Sequence, residues 1–176
     1  TLNRPGQFNS LSEELLTELQ AALNDIAKDS SVRVVVIAGA GKAFCSGHDL
    51  KQMRANHGKA YMQKLFKQCG RMMMTLVEMP QPVIARVHGI ATAAGCQLVA
   101  MCDLAVAAQE AKFAVSGINL GLFCSTPSVA LGRAMGRKQA MEMLLTGEFI
   151  DAVEAQRRGL INRVVALDQL DAEVAK

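Results

Sequence analysis

Two glycine-rich stretches hold the residues whose types and spacing could do chemistry: AGAGKAFCSGHDL over 38–50 and HGIATAAGCQLVAMCD over 88–103. The first sets Lys42, Cys45, Ser46, His48 and Asp49 close together behind a β-branched run. A phosphate-binding P-loop needs Gly-x4-Gly-Lys-Ser/Thr, but Val36 stands where the first glycine belongs and Ala43 where the hydroxyl belongs. A dinucleotide fingerprint starting at Gly39 and Gly41 needs a third glycine where Phe44 stands. A triad of Ser46, His48 and Asp49 is disfavoured, because base and orienting acid must converge in space on the nucleophile and near neighbours seldom do. In the second stretch, Ala91 to Gly95 leaves no bulky side chain at what reads as a helix start. Free N–H groups and the helix dipole favour negative charge there, although close helix packing is served equally well by small residues. Two bare-backbone turns, each after a strand, could face one bound oxygen atom.

The elements that must position these turns alternate along the chain. Ser10-Leu11-Ser12-Glu13 fits a capping box, and apolar residues from Leu15 to Ala27 recur at helical spacing, predicting a helix over about 11–28. VRVVVIA over 32–38 predicts a strand whose nearly continuous apolar run implies burial on both faces. A second helix after Gly58 stops before Pro80 and Pro82, and VIARV over 83–87 is a strand. The small-residue stretch turns into a short helix, followed by a strand at 104–108; Phe113 to Val115 and Ile118 to Phe123 read as extended and loop-like. Pro127 suits a first helical turn, Gly147 stops the next helix, Asp151 to Glu154 caps a third, and Gly159 ends it before the strand LINRVV. The alternation argues an α/β domain with no linker or repeat to divide it.

Composition narrows the partners. The chain has 176 residues, 51% hydrophobic, 20% charged and 4% aromatic, with a net charge of +3. Its basic residues are spread out, not gathered into a run with interleaved aromatics, so nucleic acid is not expected as a partner. No run is long and apolar enough for a membrane span. Five cysteines, odd in number and without CxxC spacing, argue against a disulfide framework or a zinc site and for buried thiols in a reducing compartment.

Five segments taken in order, LNRPGQFNSL, GKAFCSGHDLKQM, VHGIATAAGCQLVAMCDLAVAA, AKFAVSGINLGL and AMEMLLTGEFIDAVEAQRRGLINRVV, resemble successive motifs of the enoyl-CoA hydratase/isomerase, or crotonase, family. The resemblance implies a right-handed spiral of β-β-α units, assembled as a homotrimer or hexamer and acting on acyl-CoA thioesters in fatty-acid metabolism. It implies that residues 1–176 are a single crotonase-like core domain without the family's first strands and C-terminal helical trimerisation segment. By position it makes the backbone N–H groups of His48 and Ala94 the oxyanion hole for the thioester carbonyl. Ser10, Ser46 and Leu50 would line the CoA path mainly through backbone atoms, and Lys42 and Lys51 would approach its phosphates or stay in solvent. No metal and no cofactor beyond the coenzyme A of the substrate is implied. The expected location is cytoplasmic, or the mitochondrial matrix if a leader preceded this sequence.

The departures concern the two glutamates with which hydratases of this family place water and protonate the α-carbon: those positions hold Gln97 and Gly117. An amide cannot accept a proton near neutrality and glycine has no side chain. General acid–base groups contribute about 10²–10⁴-fold each, so hydratase turnover should be largely lost. Restoring both glutamates should raise hydration if the rest of the site is sound. Asn119 and Ser125 are weak bases, Cys124 reads as an inert buried thiol, and Asp49 and Asp103 read as structural. Two functions stay open: an acyl-CoA enzyme working through its oxyanion hole, or a protein that binds acyl-CoA without turnover.

Overall fold

The computed structural model describes residues 1–176. Its elements run α1 (Glu13–Ile26), β1 (Val35–Ala38), β2 (Ala43–Cys45), α2 (Leu50–Ala55), α3 (Lys59–Glu78), β3 (Val83–Val87), β4 (Ile90–Thr92), α4 (Ala94–Met101), β5 (Leu104–Ala108), β6 (Lys112–Ala114), a 3-10 turn (Ser116–Leu120), α5 (Ser125–Ala134), α6 (Arg137–Thr146), β7 (Ile150–Asp151), α7 (Ala152–Arg157), β8 (Arg163–Val165) and α8 (Leu170–Val174). The strands form two sheets, ordered β1-β3-β5-β8 and β2-β4-β6-β7. Every pairing is parallel except β6 with β7. From β1 to β6 consecutive strands go to different sheets, so each β-β-α unit adds one strand to each and climbs one turn of a spiral; β7 then folds back on β6 before β8 returns to the first sheet. Parallel crossovers of this kind are right-handed in nearly all proteins.

Local chemistry explains where the elements begin and end. Ser12, not Ser10, caps α1, its hydroxyl accepting from the Leu15 N–H at 3.2 Å. The capping-box reading placed the start two residues early because Ser10 is engaged elsewhere and Leu11 is extended, bridged to His48. Asp151 caps α7 through the Glu154 N–H, and Gly147 closes α6 in the left-handed conformation with φ +66°. The α1 and α3 helices face each other through Leu15, Leu16 and Leu23 on one and Leu65, Met72, Met73 and Leu76 on the other. Bonds from Gln68 to the Thr17 hydroxyl and from Gln20 to the Thr75 hydroxyl, both 2.8 Å, tie their rims.

Three expectations are corrected. The strand expected at 32–38 is confined to Val35–Ala38, and it is buried on one face only: Val34 and Val36 remain 45% and 41% exposed. It forms the edge of its sheet, and α8 covers the outer face farther along, where Leu170 meets Val106 and Ala108. The segment after Val115 is a 3-10 turn over Ser116–Leu120, not extended chain. The 38–50 loop itself contains β2, and β4 precedes α4, each strand only three residues long.

Candidate active site

The two turns meet where the spiral brings β2 beside β4, with Ala43 opposite Ile90 and Cys45 opposite Ala91. After β2 the chain turns at Gly47, φ +91°, and a Cβ there would lie 2.9 Å from Ala93 Cβ, 3.1 Å from the Thr92 carbonyl oxygen and 3.2 Å from the Ala94 nitrogen. Only glycine combines that dihedral with that approach. His48, the next residue, has a backbone N–H with no acceptor in the chain. The Ala94 N–H is the first of α4, a position with no acceptor inside its own helix. Ala93, between β4 and α4, has φ +52° and ψ −121°, a conformation L-residues rarely adopt. It is held by its own N–H donating to the Ala114 carbonyl at 2.9 Å. Strain at this junction turns the start of α4 toward Gly47, and nothing in the sequence announces it, since alanine is no signal for positive φ.

A network behind the first turn fixes it. Arg4 donates to the Ser10 carbonyl at 2.7 Å and to Asp49 Oδ2 at 3.1 Å, while Asp49 Oδ1 accepts from the Lys51 and Gln52 N–H groups at the start of α2. Asn9, fully buried with φ +53°, donates to the Ala40 and Ala43 carbonyls at 2.8 Å each and pins the 40–43 loop. Burial pushes the Asp49 carboxyl up, but the Gln52 N–H, the Arg4 guanidinium and the Lys51 N–H outweigh it and leave the group below the usual carboxylate range. A carboxyl depressed in the folded state stabilises above its ordinary value and loses that contribution as pH falls through its lowered one. Asp49→Ala should therefore cost about 1–2 kcal/mol in chemical denaturation at neutral pH. The gap from wild type should close as both are taken into acid; a gap that stays constant with pH would show that the charge plays no part.

Both turns open on a cavity of about 330 Å³. Ser46, His48, Leu50, Ala94 and Gly117 line it together with Met53 and Phe66 from α2 and α3 and with residues 122–127. Four of the other sequence candidates lie outside that lining. Ser10 is buried with its carbonyl and hydroxyl taken up by Arg4, and Lys42 and Lys51 are exposed. Gln97 is buried in α4 with its Oε1 lacking a hydrogen-bond partner. Gly117 stands on the wall, but a Cβ there would meet Cys124 Sγ at 2.5 Å and the Leu122 carbonyl oxygen at 2.7 Å. The space a side chain at 117 would take is thus already filled. Burial raises the Cys124 thiol above its ordinary value, against the opposing Gly117 N–H, so it is a neutral wall group and a poor nucleophile. Phe66, from the middle of α3, was not anticipated; only an apolar residue at core spacing marked it.

The fold is a crotonase-type α/β spiral whose two paired turns open on one cavity. The enoyl-CoA hydratase/isomerase family model matches residues 1–176, and the chain belongs to that family. It is 49% identical over 172 residues to the mitochondrial enoyl-CoA hydratase domain-containing protein 3 of Xenopus laevis, covering 98% of this chain and 58% of that protein. A crystal structure of an enoyl-CoA hydratase from Mycobacterium smegmatis superposes with TM-score 0.98 at 62% identity, covering 99% of this chain and 68% of the other. A monofunctional enoyl-CoA isomerase from the same organism gives TM-score 0.82 at 35% identity, covering 99% of this chain and 74% of the other. The chain thus spans 58% of the length of the curated relative described above. No helix is long and apolar enough to cross a membrane.

Proposed function

We propose that this chain is the core of an acyl-CoA enzyme that holds a thioester carbonyl between the backbone N–H groups of His48 and Ala94 and stabilises it as it becomes an enolate oxygen. One observation carries the reading: the approach of Gly47 to the Ala94 nitrogen sets two free donors side by side over a cavity of about 330 Å³. A preorganised donor of this kind is worth about 3–4 kcal/mol where charge develops. The acyl group would lie among Met53, Phe66, Leu122 and Phe123. Water addition is the reaction this site is poor at, because no carboxylate lines the cavity. That same absence favours a second reading, a protein that binds acyl-CoA and turns nothing over. A homotrimer or hexamer in a reducing compartment, cytoplasm or mitochondrial matrix, suits both, with coenzyme A entering only as part of the substrate.

Calorimetry and absorbance with crotonyl-CoA test the proposal. Binding should be measurable, while loss of the conjugated thioester band should run at least about 10³-fold slower than in an ordinary hydratase. Hydration at ordinary rates would refute the account of Gln97 and Gly117, and no binding of any acyl-CoA would remove both readings.

A further inference from the structure

We propose that the His48 imidazole is the proton-carrying group of this site, acting on the carbon next to the carbonyl that its own backbone N–H binds. The inference rests on the acyl-CoA reading above and supplies the base that reading lacks.

The cavity wall contains only two side chains that titrate, His48 and Cys124, and the thiol is held neutral by burial. His48 is also the only residue of that wall with a buried polar side-chain atom lacking a hydrogen-bond partner, its Nδ1. Such atoms are costly and uncommon in native proteins. The ring is held edge-on to Phe66, with centroids 5.3 Å apart at 90°. Burial lowers its basicity, against the pull of the nearby Leu11 carbonyl, so the imidazole is neutral at physiological pH and has a lone pair to offer. No other charge faces it in the cavity: α2 contributes Leu50 and Met53 there and α3 contributes Phe66. Asp49, next in the chain, is committed to Arg4 and the start of α2.

Connectivity makes the assignment economical. The imidazole is a few bonds from its own backbone nitrogen, and the α-carbon of a thioester is the neighbour of the carbonyl carbon. The α-carbon of a thioester held at the His48 N–H is two bonds from the bound oxygen, and the side chain of the same residue lines the same cavity. The lone pair takes the α-proton, the C–H electron pair becomes the C–C double bond of the enolate, and the carbonyl π pair moves to the oxygen between the two N–H groups. The imidazolium then returns the proton to the same carbon or, for a 3-enoyl thioester, to the γ-carbon, giving the 2-enoyl isomer. Nothing is oxidised and no co-reactant is needed.

The test is exchange of the α-protons of butyryl-CoA in D₂O, followed by proton NMR, with calorimetry of the same ligand and thermal melts as controls. Wild type should bind and exchange, with a rate that rises through a pKa below the ordinary 6.5 of histidine and then levels. His48→Gln and His48→Asn keep the backbone N–H and should bind within about threefold, yet exchange about 10²–10⁴-fold more slowly and without that acid limb. Variants that exchange at the wild-type rate or keep the limb would overturn the assignment, as would a wild type that binds but does not exchange. Absence of binding in wild type would instead remove the acyl-CoA reading, and this inference with it.

Discussion

Replacing Gly95 with alanine is expected to destabilise the chain by about 4 kcal/mol or more, beyond the usual 1–3 kcal/mol of overpacking. On helix propensity alone the change should help, since alanine inside a helix is favoured over glycine by about 1 kcal/mol. The sign reverses because Gly95 lies in the first turn of α4, where a Cβ would sit 2.0 Å from the Cys45 carbonyl oxygen, 2.7 Å from its carbon and 2.9 Å from its Cβ. Backbone, not a flexible side chain, is in the way. β2 cannot retreat, since its pairing with β4 fixes Cys45 opposite Ala91, and α4 cannot, since the Ala93 N–H is bonded to Ala114. Such a loss is a large part of the 5–15 kcal/mol typical of a domain. Chemical denaturation of the variant checks it, and a loss under about 1 kcal/mol would show that the two turns are not locked together as described.

The second large effect concerns the glutamates. Gln97→Glu combined with Gly117→Glu should fail to raise crotonyl-CoA hydration, and the Gly117 change should itself cost about 2–4 kcal/mol through the contacts its side chain meets. The Cys124 thiol can be trimmed away, but the Leu122 carbonyl cannot, and the Leu122 N–H is bonded back to the Gly117 carbonyl at 3.0 Å. At position 97 the new carboxyl would be buried outside the cavity lining, where burial favours its neutral form. The expectation that two substitutions would recover hydration is therefore revised: the wall has closed over the second position. A double variant that is stable and hydrates crotonyl-CoA at least about 100-fold faster than wild type would overturn this account.

Much of the architecture was legible in local signals. The cap at Asp151, the stops at Gly147 and Gly159 and the long apolar face of α3 follow from residue type and spacing, whereas the cap of α1 lies at Ser12, two residues past the box that the sequence suggests. β2 and β4 were not legible, because strands of three residues carry no period and the two pair with each other across more than forty residues. The exposure of Val36 was missed for a related reason: an apolar run looks the same on an edge strand as in the middle of a sheet. For the site, His48 and Ala94 were reached through family motifs and not through spacing. The contacts that pair them, Gly47 with Ala94 and Gly95 with Cys45, join residues about fifty positions apart, and Ala93 hides its strain behind an ordinary residue type. That Cys124 fills the place beside Gly117 needed the loop geometry after the 3-10 turn.

The spiral that sends β1 to β6 to alternate sheets also removes any smaller working unit. The His48 donor belongs to one turn of the spiral and the Ala94 donor to the next, and β2 and β4 meet only when their sheet is assembled. No hairpin or helix pair within the chain could present both donors by itself. On the proposed reading, activity is a property of the cooperative unit, and local fraying of the β2-β4 pairing would remove the site as surely as complete unfolding.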